Sequence, residues 1–508
     1  MLLACKLCCR RVGFWEGHIY LSAQGFWCRF LAILTLVSET SFSSAVAAPW
    51  VGTEDSWLRA DIERLSRVGL IDLPINSYPL MWSGIVEQLV ATDLKNLQPS
   101  IVGAYFRVRN AGRQALEIDS TQHVQLSAKS RQLPTRHYGE QSRHSDELQF
   151  SQQGTGENFA YHLRFNKSEG HKLTYDHSYI ATVVGNWAVM LGAIERWWGP
   201  GWNSSLILSN NARPTPGLSL QRNYTDPYTV PILELLGPWT AGAFVSELDD
   251  KRHIENAKLL GFTFGFKPVP DLEINLRRTM QWGGEGRPES FDSLTKLVLG
   301  NANNCDVEAC GINEPGNQLA AMDISWQIPL INSTIYVQTV GEDEAGYISL
   351  KSSRQWGLKR DIESLGFSGS LFLESDNTTT QGYSSQHNIL YNHTIYETGY
   401  RYRGRAIGAT WDNDSKVTSV GFVGRLNNGD PVSLGYSAGK INIDSISGSP
   451  SEHSIAKNGG KISILSIKWR RGFSWGYTQL DGRYTLSLPD QYQQSDKLSF
   501  SAQLLFNL

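Results

Sequence analysis

The chain has 508 residues, 41% hydrophobic and 11% aromatic, with formal net charge −3. That balance, without a Lys/Arg run, argues against a nucleic-acid partner, which calls for a basic stripe or tail. Mildly negative mean hydropathy suits a soluble protein and equally an outer-membrane barrel, where lipid-facing apolar residues alternate with polar lumen residues.

The N-terminus predicts export. Arg29 precedes an apolar stretch, Phe30 to Val37, and then Ala45-Val46-Ala47. A basic flank, a short apolar core and an A-x-A site make a secretory signal peptide over 1–47, too short to span a bilayer. The mature chain is expected to begin near Ala48 or Pro49. Four of the six cysteines (Cys5, Cys8, Cys9, Cys28) fall in that leader, leaving Cys305 and Cys310. In an oxidising compartment such a close pair is expected to form a disulfide. A metal site would need two more soft ligands nearby, so no metal and no cofactor is expected.

From Asp55 to about Glu117 the periodicity is helical, which makes 48–117 an N-terminal helical domain. Leu58, Ile62 and Leu65 recur at i, i+4, i+7, with Asp55 or Ser56 as N-cap and Gly69 as stop. Ser83 introduces Val86, Val90, Leu94 and Leu97, and Pro99 suits the first turn of a third helix carrying Ile101, Tyr105 and Val108. Three short amphipathic helices read as a small bundle, none of them transmembrane.

Over 118–508 the period becomes two, the strand signature. Phe262, Phe264 and Phe266 alternate with Thr263 and Gly265; Ile324, Trp326 and Ile328, then Phe367, Gly369, Leu371 and Leu373, do likewise. At the end of the chain Leu498, Phe500, Ala502, Leu504, Phe506 and Leu508 share a face opposite Ser499, Ser501, Gln503 and Asn507, with Leu505 the exception. Almost 400 residues of β-structure must satisfy their edges, and lipid tolerates only closed barrels among sheets. At about ten residues per crossing there is room for roughly sixteen to eighteen strands. The chain therefore reads as mostly β: a large antiparallel transmembrane barrel with a small N-terminal helical bundle. Fourteen of sixteen Trp follow the leader, as aromatic girdles at the membrane interfaces would require.

Chemistry-bearing motifs are few. Gly435-Tyr436-Ser437-Ala438-Gly439 matches the G-x-S-x-G nucleophile elbow, which works only at a strained strand-to-helix turn. Here Val432, Leu434, Tyr436 and Ala438 alternate straight through it, so a strand is expected and no catalytic residue is assigned. The eleven His, including His137, His144, His162, His171 and His177, show no zinc-binding spacing. The most unusual segment runs Ala193-Ile194-Glu195-Arg196-Trp197-Trp198-Gly199-Pro200-Gly201-Trp202-Asn203 and on through Asn210 to Arg213. Trp for stacking on sugar faces, with Glu195, Arg196, Asn210 and Arg213 for hydroxyls, is the chemistry of carbohydrate binding. An interface girdle plus a lumen-facing salt bridge is the commoner fate of such residues in a barrel, and composition favours it.

That segment resembles the Wzi family of outer-membrane capsule-assembly proteins. The matching stretches are Glu195 to Trp202, Leu206 to Pro214 and Leu218 to Arg222, with Asp55 to Ile62, Gly69 to Ile71 and Pro74 resembling the family's mature start. The resemblance implies an eighteen-stranded barrel with its helical bundle in the periplasm, and a lectin-like, non-enzymatic role holding capsular polysaccharide or exopolysaccharide at the surface of a Gram-negative-type cell. Its partners would be that glycan, outer-membrane lipid and the barrel-assembly machinery, with no nucleic acid. Extracellular loops, including the one carrying Cys305 and Cys310, are the expected contact region. A porin or polysaccharide export channel is the alternative reading, and a barrel-type surface hydrolase the second.

Overall fold

A computed structural model describes residues 50–90, 94–117, 120–131, 134–140, 142–156, 159–298, 316–342, 352–364, 366–381, 386–446, 452–489 and 497–508. The leader and the Cys305–Cys310 pair lie outside these residues.

Three helices open the described chain: α1 (Ser56–Arg67), α2 (Trp82–Leu89) and α3 (Pro99–Leu116). Asp55 caps α1, its side chain accepting from the backbone N–H of Trp57 and Leu58 at 2.9 Å each. Gly69 ends it at φ 74°, with Gly69 N–H donating to Ser66 O and Leu70 N–H to Leu65 O. That bonding pair is a Schellman cap, which favours a left-handed residue without a Cβ. The periodicity carries a second helix as far as Leu97, but α2 stops at Leu89. Val90 points into the open and Asn96 adopts φ 68°, so the chain has left the helical path before α3. Leu94 and Leu97 still pack on the helical core. Among the described residues no helix is long and apolar enough to cross a membrane.

Eighteen antiparallel strands close a barrel. They are β1 (Ser120–Lys129), β2 (Asp146–Thr155), β3 (Phe159–Lys167), β4 (Tyr179–Val184), β5 (Trp187–Ala193) and β6 (Pro216–Arg222). Next come β7 (Trp239–Glu247), β8 (Lys258–Val269), β9 (Leu272–Trp282), β10 (Gly316–Ile328), β11 (Ser333–Glu342) and β12 (Ser352–Glu363). The last six are β13 (Phe367–Gln381), β14 (Lys416–Leu426), β15 (Pro431–Ile441), β16 (Gly460–Phe473), β17 (Gly476–Ser487) and β18 (Leu498–Asn507). Closure falls between the last strand and the first, with Leu504 opposite Leu126 and Phe506 opposite Val124.

The barrel is inside-out relative to a soluble core. On β9, Glu273, Asn275, Arg277, Thr279 and Gln281 are buried while Leu276 is 48% exposed. On β18, Ser499 and Gln503 are buried and Phe500 is 60% exposed. A polar lumen and an apolar outer belt are what a bilayer selects.

The two ends differ. Turns at one end span two to four residues, apart from the β6–β7 connection, whereas the loops at the other span nine to thirty-four. Helix α1 sits in the lumen at the short-turn end, packed on α3, which in turn packs on α2. Trp57 Nε1 donates to Val432 O on β15 at 3.0 Å, Arg67 pairs with Asp361 on β12 at 2.5 Å, and Arg470 on β16 pairs with Asp55 at 2.9 Å. Above them the β5–β6 segment crosses the lumen, Trp197 and Trp198 pairing in a short antiparallel ribbon with Tyr78 and Ser77. The β13–β14 loop packs on that segment in turn: Tyr400 donates to Ile207 O at 2.9 Å and Ser209 to Gly408 O at 2.6 Å.

Trp use departs from the girdle expectation. Trp326, Trp356 and Trp475 do lie exposed on the outer face, but Trp57, Trp82, Trp197, Trp198, Trp202, Trp239 and Trp411 are buried. Filling a wide lumen takes bulky rings, and most of the buried ones serve that end.

Candidate functional site

The Glu195–Arg213 segment is built from the wall inward. Gly199 and Gly201 let the backbone graze β11 and β12, since a Cβ at either would collide with the Gln338 or Gln355 amide. Those amides hold the segment, Gln338 donating to Trp198 O at 2.8 Å and Gln355 to Ser204 O at 2.9 Å. Trp197 donates from Nε1 to Gly201 O at 3.0 Å. Trp202 stacks on Phe372 at 6.0 Å and donates to Glu63 at 3.3 Å. Arg59 lies among these rings, 4.6 Å from the centre of Trp202 and 4.5 Å from that of Tyr138.

The polar members are equally occupied. Glu195 accepts from Thr53 at 2.5 Å, from Arg143 at 2.9 Å and from Arg136. Burial alone would raise its carboxyl, but Arg136, His177 and Arg143 outweigh that and hold it well below the carboxylate range. Arg196 sits 4.0 Å over the Phe244 ring and donates to Ile194 O and Ser219. Asn210 donates to His137 O at 3.1 Å. Of the seven sugar-binding candidates, Glu195, Arg196, Trp197, Trp198, Trp202 and Asn210 are at most 7% exposed. Closed packing turns their rings and charges onto protein neighbours, so they build the lumen plug, while the Asn210 side-chain oxygen is buried with no hydrogen-bond partner among the described residues. Arg213 is different: paired with Asp176 at 3.2 Å, it lines an open cavity.

That cavity, about 130 Å³, lies in the lumen toward the long-loop end, against β1, β16, β17 and β18. Lys129, Lys468 and Arg483 enter it from the wall, and Arg131, Arg136 and Arg143 from the β1–β2 connection. Arg213 and Arg405 complete the set, against which only Glu140 and Asp481 carry negative charge among the described lining residues. Lys129 donates to Ser142 O at 2.8 Å, Lys468 to Gly139 O at 3.2 Å, and Arg483 to the Glu140 carboxylate at 2.6 Å. Burial pushes Glu140 up, but Arg483, His137 and the two lysines bring it down to about 2. His144, its ring 3.9 Å from that of His171, is brought down to about 4 by burial, His171 and the adjacent Arg213 and Arg143, and is neutral at pH 7.

Sequence reading picked out Arg213 from this set and missed the rest, which are scattered from Lys129 to Arg483. A faint signal exists: Lys129 continues the polar face Gln125-Ser127 of β1, which marks it as lumen-facing without naming a partner. Also unforeseen, His387, Asp414 and Asp444 come within 4.8 Å of one another. Asn388 ties them together, its N–H on Asp414 at 2.5 Å and its side chain on Asp444 at 2.6 Å. Ser437 lies mid-strand in β15, bonded to Asn203 at 2.8 Å and Ser419 at 2.9 Å, and not at the strained turn a nucleophile elbow requires.

Comparison with known proteins agrees with this architecture. An Escherichia coli structure described as Wzi, an outer membrane protein involved in group 1 capsule assembly and a carbohydrate-binding β-barrel, superposes with a TM-score of 0.77. It covers 91% of this chain and 99% of its own at 24% identity. A Klebsiella pneumoniae protein, described as an uncharacterized 55.8 kDa protein in the cps region, is 30% identical over 326 residues. That match spans 62% of this chain and 62% of the relative's length. The family profile described as Capsule assembly protein Wzi matches residues 116–497, and the chain belongs to that family.

Proposed function

We propose that this protein is an outer-membrane lectin that attaches or organises capsular polysaccharide or exopolysaccharide at the cell surface, and that it acts by binding and not by catalysis. The observation that carries the reading is the lumen: a bilayer-compatible barrel filled by helices, an aromatic cross-segment and a long inward loop, with open space left near the long-loop mouth. A filled barrel is a platform, whereas a porin needs a water-filled path. Short turns belong at the periplasmic end of such barrels, which supports a periplasmic position for the helices and an extracellular one for the mouth. Outer-membrane lipid would cover the apolar belt, and the assembly machinery would handle the closing strand Leu498–Asn507.

The decisive experiment compares cell-associated with released polysaccharide in a deletion strain, then measures binding of the purified protein to that glycan. Lost retention together with direct binding is expected. Normal retention and no binding would end the lectin reading. Planar-bilayer recording separates the channel reading, since a filled lumen should carry little current.

A further inference from the structure

The long β6–β7 connection at the short-turn end frames a patch of the outer wall with its own chemistry. Arg222 continues the outward positions Leu218 and Leu220 of β6, and stands opposite Trp187 of β5. Trp239 continues the outward positions Ala241, Ala243 and Val245 of β7. The Arg222 guanidinium lies 3.5 Å from the centre of the Trp239 ring, on which Tyr228 of the connection also stacks at 4.7 Å. It donates to two backbone carbonyls, Trp239 O at 2.8 Å and Asp226 O at 3.0 Å, and forms no ion pair among the described residues. A cation seated in an apolar wall calls for a counter-charge, and phosphate accepts guanidinium well.

The connection is tied down. Asn186 accepts from the Tyr224 N–H at 2.6 Å and donates to its carbonyl at 3.2 Å, while Lys267 N–H donates to Pro238 O at 3.0 Å. Its tip is nonetheless apolar, with Ile232 79% and Leu235 69% exposed, which suits a lipid interface better than water. Further along the same outer face runs a groove of about 370 Å³. Ala241 and Ala243 leave it open between Leu220 of β6 and Phe262 and Phe264 of β8. Trp239 to Ala243 is about 13 Å along the strand at ~3.3 Å per residue, within one leaflet of a ~30 Å hydrocarbon core. Arg278 lines the groove too, but deep along β9, with its guanidinium on Val298 O at 2.7 Å. Head groups stay at the interface, which selects Arg222 as the phosphate partner.

We propose that this wall binds one glycerophospholipid of the periplasmic leaflet, its phosphate on Arg222 and one acyl chain in the Ala241–Ala243 groove. The inference uses the periplasmic position of the short-turn end and is independent of any glycan. It replaces a general lipid coat at this place by a single built site.

The test is native mass spectrometry of the full chain in detergent, titrated with palmitoyl-oleoyl phosphatidylethanolamine and with the diacylglycerol of the same chains. One phosphatidylethanolamine should stay on each barrel, held about tenfold or more tightly than the diacylglycerol. Arg222→Gln should erase that preference, whereas Arg222→Lys should keep most of it, because Lys meets phosphate as a point charge. Ala243→Phe should weaken both lipids alike by filling the groove. Each variant should show the parent's heat-resistant gel mobility. Equal binding of the two lipids by the parent, or a preference that survives Arg222→Gln, would overturn the phosphate contact and the site with it. Parent-level binding by Ala243→Phe would overturn the groove. Preference for purified lipopolysaccharide would place this rim in the opposite leaflet and overturn the phospholipid. None of these results bears on glycan retention, so the lectin reading stands or falls separately.

Discussion

The two ends of the lumen use the same residue types to opposite effect. At the short-turn end, charged groups meet charged groups within the helical bundle and across its contact with the wall. Glu63 receives Arg59 at 2.9 Å and Lys359 at 3.0 Å, Asp61 receives Arg107 at 2.7 Å and Arg425 at 3.5 Å, and Lys267 takes Asp72 at 2.7 Å. At the long-loop end, Lys129 and Lys468 end on carbonyl oxygens beside open space. The contrast shows that identity alone does not separate a cation neutralised inside the packed lumen from one that borders open space. Burial and the chemistry of the nearest acceptor do.

The largest effect that would test this contrast is at Glu63. Glu63→Ala strands Lys359 and Arg59 in the lumen, and breaking a buried pair by removing one partner costs ~3–5 kcal/mol. Denaturant unfolding in detergent should register that loss, whereas Lys129→Gln at the mouth, which gives up one hydrogen bond beside open space, should cost only about 0.5–1.5 kcal/mol. Equal losses at both sites would dissolve the distinction between the ends.

Acid should come next in effect. Glu140 and Glu54 have folded-state pKa values lowered to about 2 from an ordinary 4.5, Glu140 because Arg483 and its other cationic neighbours outweigh burial and Glu54 because the hydrogen bond to His177, helped by Arg164, does so. A depressed carboxyl contributes stability that is complete above the unfolded value and drains as pH falls through the folded one. Stability should therefore hold down to about pH 4.5 and fall toward about pH 2. Glu140→Gln should flatten part of that fall in a pH series of unfolding midpoints. An unchanged acid limb would show that Glu140 is not held by Arg483 and the two lysines.

Gly201→Ala tests the cross-segment between the ends. Its Cβ would meet the Ser204 carbonyl and the Gln355 amide, and overpacking of this kind costs ~1–3 kcal/mol. Proteolysis within 194–215 should become faster. Resistance equal to the parent's would mean the segment can lift off the wall, and would weaken the reading of a filled lumen.

The barrel was legible because its alternation is local: Phe262, Phe264 and Phe266 face outward with Thr263 and Gly265 inward, as their spacing requires. The α1 boundaries were legible for the same reason, since Asp55 and Gly69 act on their own neighbours. The site was not. Glu195-Arg196-Trp197-Trp198 announces unusual chemistry, but whether the segment's rings meet sugar, lipid or protein depends on Tyr78, Phe372 and Phe244, which lie up to 170 positions away (Trp202 to Phe372). The cavity was harder still, because Lys129, Arg213, Lys468 and Arg483 gather only when the last strand closes on the first. His387 meets Asp414 within the β13–β14 loop, and Asp444 reaches both from the β15–β16 loop.

The smallest predicted effect concerns the one motif that suggested catalysis. Ser437 donates to or accepts from Ser419 and accepts from Asn203, so it ties the β15 wall to the cross-segment. Ser437→Ala should remove about 0.5–1.5 kcal/mol, the net worth of an ordinary hydrogen bond, and should leave polysaccharide retention at the parent level. A hydrolytic nucleophile would behave in the opposite way, with stability nearly unchanged and function abolished. Measuring both quantities on this single variant therefore decides whether Ser437 belongs to the packed interior that the plug creates or to a catalytic site.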